Sequence, residues 1–198
     1  MKNLVAIVAA TTTNGIGFGQ TLPWRLSKEM AYFARVTKHV TTPNTKNVVI
    51  MGRKTWEGIP KKFRPLGERI NVVVSRTGFV VHDEDSFALG SMEEASQIAN
   101  KENVHKAFLI GGAQLYAYAL STSSTTLPLT HILLTRIHTP FECDVYFPAL
   151  DSDWVLESEE QMDSFVGFEV PRGIQTEIDK ISGKTVEYTF ELWAKKSS

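Results

Sequence analysis

The sequence predicts an α/β protein with a mixed, mostly parallel central sheet, antiparallel C-terminal strands and helices on both faces. Three observations carry that prediction. The runs Leu4–Ala10, Asn47–Met51, Ile70–Val74 and Ala107–Ile110 are continuously apolar, as strands buried on both faces require. These runs alternate with helix-like segments and end in glycine or basic turns. Past Trp154 the pattern switches to polar–apolar alternation, clearest in Val186–Trp193, which suits antiparallel strands with one wet face. The 198 residues hold no repeat, low-complexity run or linker, so 1–198 is expected to form a single domain.

Taken in order, Leu4–Ala10 reads as a central strand leading into Thr11–Gly19, where Gly15, Gly17 and Gly19 alternate. Glycine allows close approach of backbone to a ligand, so a closing loop and a plain surface turn both fit. Leu22-Pro23-Trp24 precedes a helix whose apolar residues Leu26, Met30 and Phe33 recur at helical spacing, with Glu29 at the margin of that face. A carboxylate there is either a solvated edge or capping residue, or one desolvated in an apolar pocket. Thr41–Thr45 is a loop, and Asn47–Met51 runs through Gly52 into a short helix, Lys54–Gly58, bounded by Pro60 and Pro65. Ile70–Val74 ends in Ser75-Arg76, and Phe79–Val81 suits a brief strand. Ser91–Glu94 has the shape of a capping box and starts a helix to about Lys101. Ala107–Ile110 ends in Gly111-Gly112 with a helix after it, a turn that admits a pyrophosphate but that ligand-free proteins also use. Ile132–Ile137 is a further strand, Phe141–Pro148 a polar-aromatic loop, and Trp154–Glu159 a strand. A turn-rich insert with Gly173 and Gly183 then leads to the last strand.

Composition narrows the function. A 42% hydrophobic and 22% charged share is that of a soluble globular protein. No apolar run approaches a membrane span and no signal peptide opens the chain, so a cytoplasmic location is expected. The lone Cys143 excludes an internal disulfide and any cysteine-based zinc cluster. His39, His82, His105, His131 and His138 lack metal-ligand spacing, so no metal is expected. Net charge is −1, against a nucleic-acid binder. Yet Arg25 to Arg76 hold twelve Lys/Arg against three Asp/Glu, while 151–198 hold eleven acids against five bases. The basic surplus surrounds two strand ends, Gly52–Thr55 and Ser75-Arg76, that suit phosphate. A monomer is the default, since no heptad seam or leftover apolar stretch is present.

Several chemistries fall away. Gly52-Arg53-Lys54-Thr55 lacks the glycine spacing of a Walker loop, Gly15–Gly19 is not the dinucleotide fingerprint, and no Gly-x-Ser-x-Gly elbow exists. What remains is glycine or basic turns at strand ends, one helix carboxylate and little general acid–base equipment. Such a site suits chemistry done by a phosphate-bearing cofactor.

The chain resembles dihydrofolate reductase of the longer eukaryotic, fungal-like type. The matching residues are Ile7-Val8-Ala9, Gly15-Ile16-Gly17, Leu22-Pro23-Trp24, Glu29 with Tyr32-Phe33, Val49–Trp56, Arg64-Pro65-Leu66, Arg69-Ile70-Asn71, Ser75-Arg76, Ile110-Gly111-Gly112 and Asp144 with Phe147-Pro148. Their order and spacing hold over nearly the whole chain. The resemblance implies that fold and an NADPH-dependent reduction of 7,8-dihydrofolate to 5,6,7,8-tetrahydrofolate, supplying thymidylate and purine synthesis. It also implies binding of antifolates.

By the same resemblance, Glu29 is the carboxylate that holds the pterin and assists protonation at N5, with Trp24 and Thr135 orienting it or its waters. Ile7, Val8, Met30, Phe33, Ala34, Ile59, Phe63, Leu66 and Ile110 would line the folate site, and Arg69 would clamp the glutamate α-carboxylate. Ala9 and Ile16 would meet the nicotinamide amide through their backbone, and Gly17, Gly19, Leu22 and Ile110 would also bind the cofactor. Gly52, Lys54, Thr55, Gly111, Gly112, Ala113, Gln114, Leu115 and Tyr116 would hold its pyrophosphate and ribose. Arg53, Ser75 and Arg76 would hold the 2′-phosphate, Thr77 would also bind the cofactor, and residues 11–24 match a loop that closes over the nicotinamide. Met30, Ala34 and Phe63 depart from the vertebrate pattern, where an aromatic residue, glutamine and asparagine stand. A reductase of a ribosylated aminopyrimidine on the same fold should lack the pair Glu29 and Arg69. An inert nucleotide-binding module would have lost Glu29, Trp24 or the glycine turns.

Overall fold

A computed structural model of the chain describes residues 1–81, 83–122 and 126–196. The first elements are β1 (Leu4–Thr11), β2 (Gly15–Gly17), α1 (Ser27–Lys38), β3 (Lys46–Gly52), α2 (Arg53–Gly58) and β4 (Arg69–Val74). Then come β5 (Ser86–Leu89), α3 (Met92–Ala99), β6 (Val104–Leu109), α4 (Ala113–Ser121) and β7 (Leu129–Ile137). The chain ends with β8 (Val145–Tyr146), β9 (Trp154–Leu156), α5 (Glu159–Val166), β10 (Gln175–Ile178) and β11 (Thr185–Lys195). Two compact units divide these elements: Met1–Ala6 with Thr37–Thr130, and Ile7–Val36 with His131–Ser198.

In the first unit the strand order is β1-β6-β3-β4-β5, and every pair is parallel. Leu4 and Val48 both pair with Ala107, and Val48 pairs with Ile70. The continuous apolar runs predicted this: Val48, Val49, Ile50 and Met51 are all fully buried, as interior parallel strands require. Two buried asparagines tie loops to these strands. Asn47 donates to the carbonyls of Thr37 and His39, each at 2.9 Å, and accepts from the Lys106 amide. Asn71 accepts from the Leu66 amide and donates to the Leu66 and Arg69 carbonyls, each at 3.0 Å.

The expected strand at Phe79–Val81 does not form. Those residues lack a partner strand, and Val80 is 68% exposed. The edge of β4 is taken instead by β5, where Asn71 pairs with Ser86. At α3 the expected capping box is half made. Ser91 Oγ accepts from the Glu94 amide, but Glu94 reaches back to Gly90, not Ser91, and the helix stops at Ala99.

In the second unit the order is β10-β11-β7-β1, with β9 also on β11, and the pairs β10–β11, β11–β7 and β11–β9 are antiparallel. The alternation in Val186–Trp193 thus had the right meaning. The mixed α/β class holds, with parallel strands first and antiparallel strands last. Three local expectations fail here. Val145–Tyr146, expected in a loop, pairs with β2. The strand from Trp154 ends at Leu156 because Ser158 caps α5. The insert, expected to be turn-rich, holds α5 and β10. Ser158 and Gln161 form a full capping box, and Gly167 closes the helix in the left-handed region, φ 86°.

Removing these polar ties should rank by burial. Asn71→Ala is expected to lower the unfolding free energy by about 3 kcal/mol, since the half-buried Leu66 amide and carbonyl and the buried Arg69 carbonyl together lose three hydrogen bonds. The exposed cap change Ser158→Ala should cost about 1 kcal/mol. Urea unfolding of both variants checks the order.

Candidate functional site

The structure gathers the predicted site residues in two sets, one in each unit. In the second unit the stripe of α1 differs from the one expected. Leu26, Glu29, Tyr32 and Val36 are buried, whereas Met30 is 45% exposed and Phe33 and Ala34 are half-buried. The true stripe falls at 26, 29, 32 and 36, still a helical spacing, and sets Glu29 in the middle of the buried face. Glu29 Oε1 accepts from Thr135 Oγ1 at 3.1 Å. Burial pushes the carboxyl up, the Thr135 hydrogen bond partly offsets this, and the charge of Glu177 adds to the rise, to about 7. The desolvated reading of Glu29 is the one the structure bears out.

Around α1, Trp24, Leu26, Ile137, Val186 and Tyr188 form a buried cluster. Trp24 packs edge-on against Phe141 at 5.2 Å between ring centroids. Its indole N–H is buried and finds no acceptor among the described residues. Such a donor is costly unless something pairs with it. Ile7 and Val8 are buried on β1.

The glycine loop is a small paired structure. Gly15 and Gly17 of β2 pair with Tyr146 and Val145, the Gly19 amide donates to Asp144 Oδ2 at 2.9 Å, and Phe147 donates to the Asn14 carbonyl. A Cβ on Gly15 would meet Cys143 Sγ at 2.5 Å, so only glycine fits there. Ala9 and Ile16 are half-buried, and Leu22 is 46% exposed.

In the first unit two glycine turns meet. The Gly52 amide donates to the Gly111 carbonyl at 2.8 Å. Gly111 has φ +132°, and a Cβ on it would sit 3.1 Å from Thr55 Oγ1. Gly52 and Gly112 begin α2 and α4 without any side-chain cap. The first-turn amides of Lys54, Thr55, Ala113 and Gln114 therefore belong to a surface that a Cβ on Gly111 or Gly112 would crowd, and that surface suits a diphosphate. Tyr116 is buried, Gln114 exposed, and Ile110 half-buried. At the end of β4, Ser75 Oγ donates to the Thr77 carbonyl at 2.8 Å and Arg53 donates to Thr77 Oγ1 at 3.2 Å. Arg53 also lies 3.7 Å from Glu57, and Arg76 is exposed. Two guanidiniums with two hydroxyls make a donor set for a phosphate monoester.

Arg69 is 5% exposed. Its Nε donates to the Gly67 carbonyl and its Nη1 to Thr37 Oγ1, both at 2.9 Å. Burial lowers its affinity for protons and the charge of the neighbouring Glu68 partly offsets this, but among the described residues no carboxylate forms an ion pair with it. A buried guanidinium without an anion is stabilised by one supplied from outside. Beside it in the chain, Leu66 is fixed by Asn71, Ile59 is half-buried, and Phe63 is 53% exposed.

His105 lies 3.4 Å from the hydroxyls of Thr41 and Thr42, His131 stacks on Phe165, and His138 meets Thr189 at 3.1 Å. His82 lies outside the described residues. Sequence reasoning missed Thr37, the Arg69 partner, and Glu177, which faces Glu29. Neither carries a local signal, because each acts across a long stretch of chain.

A family model described as dihydrofolate reductase matches residues 3–168. The dihydrofolate reductase of Pneumocystis carinii is 40% identical over 98% of this chain and 97% of that protein. The Candida albicans enzyme is 36% identical, covering 98% of each. In three dimensions the chain is similar to Schistosoma mansoni dihydrofolate reductase, with TM-score 0.80, 32% identity, and coverage of 98% and 99%.

The raised Glu29 carboxyl has a stability consequence with a definite sign. Between its unfolded value of 4.5 and about 7, the folded chain keeps a proton that the unfolded chain releases. Stability from this group therefore falls as pH rises through that window, by about 3 kcal/mol in all. Without ligands, Glu29→Gln is expected to be more stable than the parent at about pH 8 and equal to it at about pH 4. Denaturant unfolding at both pH values measures this.

Proposed function

The chain belongs to the dihydrofolate reductase family, and on that premise we propose how its own residues serve the family's reaction. The chain is an NADP-dependent oxidoreductase that reduces 7,8-dihydrofolate to 5,6,7,8-tetrahydrofolate. When bound, NADPH supplies the hydride equivalent that C6 of the pterin receives.

Glu29 is the residue on which this reading rests most. As a carboxylate it accepts from the pterin 2-amino group and N3–H, two donors that a carboxylate can hold at once. As a carboxyl with proton affinity near neutrality it holds a proton that can pass, through water, to N5. The observation in support is its burial on the core face of α1 with Thr135 as its hydrogen-bond donor. Thr135 orients the carboxyl, and the unpaired Trp24 N–H holds the water. Ile7, Val8, Phe33 and Ala34 line the pterin, with Met30, Ile59, Phe63 and Leu66 along the aminobenzoyl tail. Arg69 takes the glutamate α-carboxylate, which would end its lack of an anionic partner.

For NADPH, the turns Gly52–Thr55 and Gly111–Tyr116 hold the pyrophosphate and ribose. Arg53, Ser75, Arg76 and Thr77 hold the 2′-phosphate. Ala9, Ile16, Gly17, Gly19, Leu22 and Ile110 serve the nicotinamide, with residues 11–24 excluding water over it. The two units work as one domain, as a monomer in the cytoplasm. The match of relatives along 98% of the chain supports the single domain.

Loss of reduced-nicotinamide absorbance on mixing NADPH, dihydrofolate and the protein tests the activity. Antifolates should abolish the signal, and an inert module would give none. Glu29→Gln is expected to lower hydride-transfer turnover roughly 100-fold at about pH 8 and less at about pH 5, where solvent protonates the substrate. An unchanged pH–rate profile overturns the role of Glu29. Arg76→Ala should raise the KM for NADPH roughly tenfold and leave that for NADH unchanged. Equal effects on both cofactors would remove Arg76 from the phosphate site.

A further inference from the structure

Helix α1 carries Glu29 in its first turn, yet the residue before that helix cannot cap it. Leu26 occupies the position where a side-chain oxygen normally accepts from the first amides, and leucine has none. The acceptor comes from β10 instead. Glu177 Oε1 accepts from the amides of Ser27 and Lys28, the latter at 2.9 Å, and Oε2 lies 3.0 Å from the same Lys28 amide. Two residues on, Asp179 is fully buried and Oδ1 accepts from the Arg25 amide at 2.7 Å, while Lys180 donates to the Arg25 carbonyl. The segment 177–180 therefore holds the chain from Arg25 through the first turn of α1.

Glu177 also carries charge. A carboxylate at a helix N-terminus is favoured by the helix dipole, but here a second carboxyl, Glu29, sits in the same first turn. The groups that face Glu29 are Thr135 from β7, Tyr32 from its own helix, Tyr188 from β11 and Glu177 from β10. Tyr188 O–H donates to Glu177 Oε2 at 3.4 Å. No cation is among them. Among the described residues, the carboxylate whose charge acts on Glu29 is that of Glu177, and like charge disfavours ionisation of its neighbour.

We propose that Glu177 is a positioning residue for Glu29: from a distant strand it caps the first turn of α1, where the preceding residue offers no side-chain acceptor, and it brings a second carboxyl to the turn that carries Glu29. The cap sets where the Glu29 side chain starts, and the charge sets when it gives up its proton. This rests on the assigned role of Glu29, and its test separates the two.

The test uses the full chain with ¹³C-labelled glutamate. The Glu29 carboxyl is titrated by NMR without ligands, and the pH–rate profile of dihydrofolate reduction is measured alongside. Glu177→Gln keeps an acceptor for the Ser27 and Lys28 amides and removes the charge. Its Glu29 midpoint is expected to fall by about half a pH unit. The basic limb of the pH–rate profile should move by the same amount, with the low-pH plateau rate kept. Glu177→Ala should show that shift and also a raised KM for dihydrofolate, because the cap is lost. An unmoved Glu29 midpoint in Glu177→Gln overturns the charge role, and an unchanged KM in Glu177→Ala overturns the positioning role. A shifted midpoint with an unshifted rate profile leaves Glu177 acting on Glu29 and removes Glu29 from the proton step.

Discussion

A carboxyl group withheld from water on the core face of α1 is the constraint around which the second unit is built. Burying Glu29 disfavours its charged form, and a single hydroxyl, that of Thr135, only partly offsets this. The aromatic side chains packed near it keep that state. Tyr32 packs on Phe190 at 4.0 Å and Phe190 meets Tyr188 edge-on at 5.5 Å, which closes the apolar wall. The same wall raises the proton affinity of Tyr32 and Tyr188 far above the usual phenol range, so neither tyrosine can release the proton in place of Glu29. A protein selected for stability alone would place leucine at this position. The carboxyl is retained at a cost in stability, as functional sites commonly are.

The first unit follows a parallel logic with the opposite sign of charge. Arg69 is buried against a hydroxyl and a carbonyl, neither of which neutralises it. The helices α2 and α4 begin at glycines that offer no side-chain cap. Each leaves positive potential that no ion pair among the described residues neutralises in place. The polar ties that are complete, such as Asn47 and Asn71, stand where loops join strands, and they hold the incomplete ones in position.

Much of the fold was legible because its signals are local. Val48–Met51 reads as a two-sided buried strand from four residues, and Gly111-Gly112 reads as a strand-to-helix turn from two. Helix α5 had its signal as well, Ser158 with Gln161 and then Gly167, and reading the insert as turns overlooked it. Strand β5 had no such signal. Ser86–Leu89 becomes a strand because β4 offers it an edge, and Phe79–Val81, the more apolar segment, stays out because nothing pairs with it. Pairing is a property of the partner as much as of the segment.

The site divides in the same way. Residue types and spacing by themselves determined the α/β class and the glycine turns at strand ends, and the family resemblance carried the proposal of which side chains serve dihydrofolate and NADPH. They did not determine the face of α1, since Leu26, Met30 and Phe33 make as good a helical stripe as Leu26, Glu29, Tyr32 and Val36. Only packing decided that Glu29 points inward and Met30 outward. Tertiary structure alone also brought Thr37 to Arg69 and Glu177 to the first turn of α1, across 32 and about 150 residues of chain. The physical reason is that periodicity is read along the chain, while desolvation and capping depend on which distant groups close over a residue.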